Sequence, residues 1–207
     1  MNKKTTVIGL TGGTGSGKTT MSKYLANNLG YKVIDADDIG RALLKDDKKT
    51  IDEVVKCFGI DILDENGNIK RDKLSKKAFG DEGKLHELEN IVTTRICEEI
   101  KEQVNHQKIM STNPPKASQN VIIIDAPLLF EKKLDILCDT TCLVTCDVNE
   151  RIKRIKIRDK LTEEEILQRI NNQIPDEEKK KLVSTVITND GTLEELYSKA
   201  RDYIERF

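Results

Sequence analysis

Residues 5–19 read TTVIGLTGGTGSGKT, and this stretch decides how the rest of the chain is read. A β-branched, apolar run at 5–10 leads into glycines at 12, 13, 15 and 17, followed by Lys18 and Thr19. The spacing Gly12-x-x-x-x-Gly17-Lys18-Thr19, with a strand before it and a helix after it, is that of a loop wrapped around phosphate. Phosphate oxygens need several backbone N–H groups turned inward, and that curvature favours glycine. Gly13, Thr14, Gly15, Ser16, Gly17, Lys18, Thr19 and Thr20 are therefore expected to hold a nucleotide's phosphates. Lys18 brings charge to the β- and γ-phosphates, and Thr19 brings a hydroxyl to Mg²⁺. The helix that starts near Lys18 adds its positive end.

Outward from this loop, MSKYLANNLG (21–30) sets Met21, Tyr24, Leu25 and Leu29 at helical spacing and stops at Gly30. YKVIDAD (31–37) reads as a second strand, so a β–loop–α–β unit fills the first 37 residues. VIIID (121–125) is a continuous apolar run, the pattern of a strand covered on both faces. TTCLVTCDV (140–148) and LVSTVITND (182–190) read as further strands. Between them, 150–160 and 162–173 read as helices, the second opened by a capping box of Thr162 and Glu165. A closing helix is expected over 193–207. The stretch 38–105 reads as mostly amphipathic helix with a turn at 64–68, and STNPPKASQN (111–120) as a polar loop. Strands alternating with helices predict an α/β fold: a three-layer parallel sheet flanked by helices, with ligands at the carboxyl ends of the strands.

Composition narrows the function. Thirty-five Lys and Arg against 36 Asp and Glu leave a net charge of −1, which excludes a global nucleic-acid footprint. No segment approaches the roughly 18 apolar residues that span a membrane, and MNKKTTVIGL lacks the apolar length of a signal peptide. A cytoplasmic monomer is the expectation. Five cysteines, an odd number, argue against a disulfide framework, and Cys142 and Cys146 read as small buried strand residues. No N-K-x-D run is present to read guanine, which disfavours a GTP switch.

Acidic and basic residues then fall where phosphoryl transfer would use them. Strand alternation sets Asp35 and Asp37 on one face at the end of the second strand, with Asp38 a candidate helix cap. A carboxylate there suits removal of a hydroxyl proton. Arg41, a turn further on, could meet an acceptor phosphate. Asp125 ends the VIIID strand and could orient Mg²⁺ waters in the outer sphere, and Leu128 and Phe130 could wall an acceptor's apolar part. Arg151, Arg154 and Arg158 form one basic helical stripe, and Arg154 and Arg158 suit bidentate phosphate contact. Asn189 and Gly191 follow the last strand. These residues together predict a small-molecule kinase that moves the γ-phosphate of ATP to a hydroxyl of a nucleotide-like acceptor.

The blocks IGLTGGTGSGKTT, VIDADDIGR, FGIDILDENGNIKRDKL, VIIIDAPLLFE, the R-x-x-x-R-D run at Arg154–Asp159, LTEEEILQRINNQIPDEEK and VITNDGTLEEL occur in that order. In this the chain resembles the dephospho-CoA kinase family, from about residue 6 to 200. The phosphate loop is generic; the D-A-D, PLLFE and R-I-x-x-Q-x-P blocks are specific. The resemblance implies ATP and Mg²⁺ as donor and cofactor, dephospho-CoA as acceptor and coenzyme A as product. It implies a P-loop NTPase-type core (about 5–40, 120–150 and 180–207), a helical acceptor-binding insert (about 41–119) and a helical lid (about 150–179). By resemblance, Asp37 is the general base and Asp35 its acidic neighbour. Lys18 and Arg154 join them in catalysis, Arg41 and Thr93 touch the acceptor, Arg154 and Arg158 the phosphates, and Asn189 the adenine. Three features depart from the family pattern. Thr14 stands where Ile is usual, Thr93 and Thr94 stand where a His-Pro pair is usual, and the 111–120 loop is longer than typical.

Overall fold

Five strands form one sheet in the order β2-β3-β1-β4-β5. They are β1 (Thr6–Thr11), β2 (Lys32–Asp35), β3 (Val121–Asp125), β4 (Thr140–Thr145) and β5 (Thr185–Thr188). The computed structural model describes residues 5–110 and 120–207, so all but the last residue of the expected 111–120 loop lies outside the described residues. β1 runs parallel to both β3 and β4, and β4 parallel to β5. Leu10 pairs with Asp125, Thr11 with Leu143, and Thr145 with Thr188. The carboxyl ends of these four strands therefore share one edge, and the phosphate loop leaves from it.

The pleat explains the core. Ile8 and Leu10 point to one side of β1, where they join Met21, Tyr24 and Leu25 of α1 (Lys18–Asn27) and Leu196, Tyr203 and Ile204 of α9 (Leu193–Ile204). Truncating one such side chain to Ala costs about 2–5 kcal/mol. On the other face, Gly9 is required by close approach. A Cβ there would lie 2.8 Å from Cys138 Sγ and 2.9 Å from Leu129 Cδ2.

The chain divides into two compact units, Asp35–Glu102 and the remainder, with the boundary inside α5 (Glu82–Met110). The Asp35–Glu102 unit contains α2 (Ala36–Asp46), α3 (Lys48–Phe58), α4 (Arg71–Phe79) and most of α5. Val54, Phe58, Ile62, Leu74 and Ala78 form its own small core. The other unit also holds α6 (Val148–Asp159), α7 (Glu163–Asn171) and α8 (Asp176–Leu182).

Three local readings are corrected. The second strand ends at Asp35, and Asp37 lies in the first turn of α2, so strand alternation does not relate them. Asp35, not Asp38, caps α2, its carboxylate accepting from Asp38 N–H at 2.9 Å. The final strand is also shorter than LVSTVITND: Leu182 ends α8, and β5 spans only Thr185–Thr188. The Thr162–Glu165 capping box is present as read, and a second joins Thr192 to Glu195.

Candidate active site

The phosphate loop is built between the buried end of β1 and the first turn of α1. Gly15 and Gly17 take φ of +83° and +96°, a region that costs any Cβ-bearing residue. Ser16 N–H donates to Gly13 O at 3.0 Å and closes the turn. Lys18 is buried, and its ammonium forms a salt bridge with Asp125, the last residue of β3. Thr19 and Thr20 follow, exposed, in the first turn of α1. Ser16 Oγ is buried without a hydrogen-bond partner among the described residues.

The loop is also gripped from outside. Thr14 N–H donates to Gln173 Oε1 at 3.1 Å, and Thr14 O accepts from Arg151 Nε at 2.9 Å. Arg151, the first member of the basic helical stripe, is only 4% exposed. A Cβ on Gly13 would collide with its guanidinium. Asn189 is buried as well. Its amide donates to Ser16 O at 2.8 Å, and its own carbonyl accepts from Arg154 Nη2 at 3.0 Å. Arg154 Nη1 is buried and has no partner among the described residues. The loop, Lys18, Asp125, Arg154 and Asn189 are thus brought together. Arg158 is not part of that group; it is exposed and pairs with Asp159, whose carboxylate raises the guanidinium pKa. Gly191 is exposed beside Glu195.

Beyond β3, Leu129 is fully buried core, while Leu128 and Phe130 are half-buried. Lys179 of α8 is fully buried there, donating to Pro127 O at 2.9 Å and pairing with Glu131 at 3.1 Å. Sequence reading missed Lys179, Gln173 and Arg151 as parts of this region. The first two sit in the QIPDEEK stretch, whose lack of apolar periodicity hid its buried side. An open cleft of about 480 Å³ is lined by Arg151 and, among others, by Cys146, Asp147, Gln173, Asp176 and Thr188.

The remaining candidates lie in the Asp35–Glu102 unit. Asp35 caps α2, Asp37 is half-buried in its first turn, and Arg41 is exposed on the same helix in a salt bridge with Asp38. That hydrogen bond raises the Arg41 pKa. Thr93 is half-buried and Thr94 exposed on α5.

Chemically, the first group offers what binding a phosphate requires. It has backbone N–H groups at a helix start, one buried ammonium and a guanidinium with a spare buried donor.

Comparison with known proteins agrees with this chemistry. Residues 6–195 match the family model described as dephospho-CoA kinase. A dephospho-CoA kinase of Fusobacterium nucleatum is 39% identical over 96% of this chain and 97% of its own. One from Corynebacterium glutamicum is 36% identical over 95% and 94%. Among solved structures, TT1252 from Thermus thermophilus superposes with a TM-score of 0.78 at 30% identity, covering 99% of each chain. Dephospho-CoA kinase from Campylobacter jejuni, at 24% identity, shares the fold with a TM-score of 0.68 over 96% of this chain and 95% of that one. With a family match that spans nearly its whole length and curated relatives at this identity, the chain belongs to the dephospho-CoA kinase family.

Proposed function

We propose that this chain transfers the γ-phosphate of ATP to the ribose 3′-hydroxyl of dephospho-CoA, giving coenzyme A and ADP, the last step of coenzyme A biosynthesis. The observation that carries the reading is the family match over residues 6–195. The cradle around Lys18 supports the donor half independently. The reaction needs only small soluble substrates, which suits a cytoplasmic location and a monomer. No helix among the described residues is long and apolar enough to cross a membrane.

In this reading Asp37 accepts the proton of the 3′-hydroxyl, and Asp35 holds the start of α2 that carries it. The 3′-oxygen then forms a bond to the γ-phosphorus while the bond to the β–γ bridging oxygen breaks. Lys18 and Arg154 balance the charge that spreads over the phosphate oxygens. The unpartnered Nη1 of Arg154 supports its part, since a buried guanidinium donor gains most from a phosphate oxygen. Arg41, Thr93, Leu128 and Phe130 are assigned to the acceptor, and Arg158 to the phosphates once the lid helices carry it inward. Thr19 and Asp125 would serve Mg²⁺. Their hydroxyl and carboxylate oxygens are the hard donors that ion prefers, and so short a protein set suits an ion carried by the triphosphate. When bound, Mg²⁺ supplies charge neutralisation at the β- and γ-phosphates.

The test is ATP turnover with Mg²⁺, with and without dephospho-CoA, using AMP and adenosine as control acceptors. Stimulation by dephospho-CoA alone is expected. Equal stimulation by AMP would point to a nucleoside monophosphate kinase instead.

A further inference from the structure

Two carbonyls of the phosphate loop are held by side chains from distant parts of the chain. Thr14 O accepts from Arg151 Nε at 2.9 Å, and Ser16 O accepts from Asn189 Nδ2 at 2.8 Å. No cis peptide is present among the described residues, so each of these peptides is trans and planar. In such a unit the carbonyl of one residue and the N–H of the next point in opposite directions. Fixing Thr14 O against Arg151 therefore turns Gly15 N–H away from Arg151. Fixing Ser16 O against Asn189 turns Gly17 N–H away from Asn189. Gly15 and Gly17 are the loop's two positive-φ residues, a backbone conformation that glycine adopts without steric cost.

The two supports share an anchor. Thr145, the last residue of β4, accepts Asn189 N–H on its carbonyl at 2.8 Å. Its hydroxyl donates to Asp176 Oδ2 at 2.6 Å, and that same oxygen accepts from Arg151 Nη1 at 3.4 Å. Gln173 Oε1 holds the N–H of Thr14, so the residue is gripped at both its N–H and its carbonyl. The sheet edge thus sets the loop through side chains rather than through the loop's own turn alone.

We propose that Arg151 and Asn189 are positioning residues that hold the phosphate loop with the Gly15 and Gly17 N–H groups turned to the nucleotide's phosphates. Asn189 then acts on the triphosphate through Ser16 rather than by reading the adenine ring. The proposal rests on the reading that this loop takes the ATP phosphates, and it is independent of which acceptor is used. Ordering these peptides beforehand removes a cost that binding would otherwise carry.

The test compares wild type with Asn189→Ala and Arg151→Lys, measuring dissociation constants for MgATP, MgGTP and inorganic tripolyphosphate, and the KM for dephospho-CoA. Arg151→Lys keeps the charge and is a second readout should Asn189→Ala fail to fold. Both variants are expected to weaken ATP and tripolyphosphate alike, by about tenfold, the worth of one net hydrogen bond to the ligand. The ATP-to-GTP ratio and the KM for dephospho-CoA should change by less than about threefold. A merely structural role would lower the thermal midpoint and the fraction of active protein without raising these constants. Unchanged tripolyphosphate affinity, or an altered ATP-to-GTP ratio in Asn189→Ala, would overturn the proposal alone. A wild type that binds neither ATP nor tripolyphosphate would overturn the functional reading, and the proposal with it.

Discussion

Lys18 of the phosphate loop and Asp125 at the end of β3 form a salt bridge whose side chains are 9% and 2% exposed. The pair ties the first turn of α1 to the carboxyl end of β3. A buried charge that loses its ion-pair partner is strongly unfavourable, typically by about 3–5 kcal/mol. Asp125→Ala should therefore lower the urea midpoint strongly. Lys18→Met with Asp125→Ala should be more stable than Asp125→Ala alone, because no lone charge remains. A double variant less stable than either single variant would show that the pair does not set this balance.

Asp37 and Asp35 should separate by readout. Asp37→Asn should cut kcat by about 10²–10⁴-fold at saturating substrates, the usual contribution of a general base. Asp35→Ala removes the acceptor for Asp38 N–H and should cost about 1 kcal/mol of stability. Asp35→Asn keeps an oxygen cap, so its stability should match wild type, and any loss of activity then reports the charge. Near-normal turnover by Asp37→Asn would remove Asp37 from the proton-transfer role.

The helical unit offers a pH-dependent check. Asp47 caps α3, accepting from Thr50 N–H at 2.8 Å and from its hydroxyl at 2.5 Å. These bonds, the side-chain one foremost, hold the carboxyl below its ordinary value of 3.8. A depressed folded pKa means the cap's contribution is fully present above the unfolded value and lost as pH falls through the folded one. Asp47→Ala should therefore be less stable than wild type by about 1 kcal/mol at pH 7, and the gap should close as pH falls below 3.8 and through the lowered folded value. A gap that persists in acid would mean the carboxylate's charge is not what caps the helix.

Thiol reactivity tests the burial of the sheet. Burial pushes the Cys138 and Cys142 thiols up to about 12. At pH 8 only about 10⁻⁴ of such a thiol is ionised, against roughly a quarter for a free cysteine. Alkylation of the folded protein at these positions should be slower than that of a free thiol by at least about a hundredfold, and should rise as pH approaches 11. Fast labelling at pH 8, resolved by peptide mass spectrometry, would mean that the face carrying the labelled thiol opens readily, the Ile8–Leu10 face for Cys142 and the Gly9 face for Cys138.

Much of this architecture was legible because local signals agreed. Glycine spacing placed the loop, apolar runs placed β1, β3 and β4, and Thr162 with Glu165 placed the start of α7. The failures have physical causes. In VIDAD, strand alternation and helix capping compete for the same carboxylates, and the cap prevailed at Asp35. α8 reads DEEKKKL, with no apolar stripe, because the residue it buries is Lys179, satisfied by Pro127 O and Glu131. Nothing local to Arg151 marks it as a support of the phosphate loop, since the Thr14 carbonyl it holds lies 137 residues away. Hydrogen bonds between distant backbone and side-chain atoms leave no periodicity to read.

The central claim is most directly tested by following ATP labelled at its γ-phosphorus in the presence of Mg²⁺ and dephospho-CoA. The account predicts label in a product that co-migrates with coenzyme A, as a monoester at the ribose 3′-position, and none when the 3′-hydroxyl is replaced by hydrogen. Label found only in inorganic phosphate, or transferred equally to the 3′-deoxy acceptor, would contradict it.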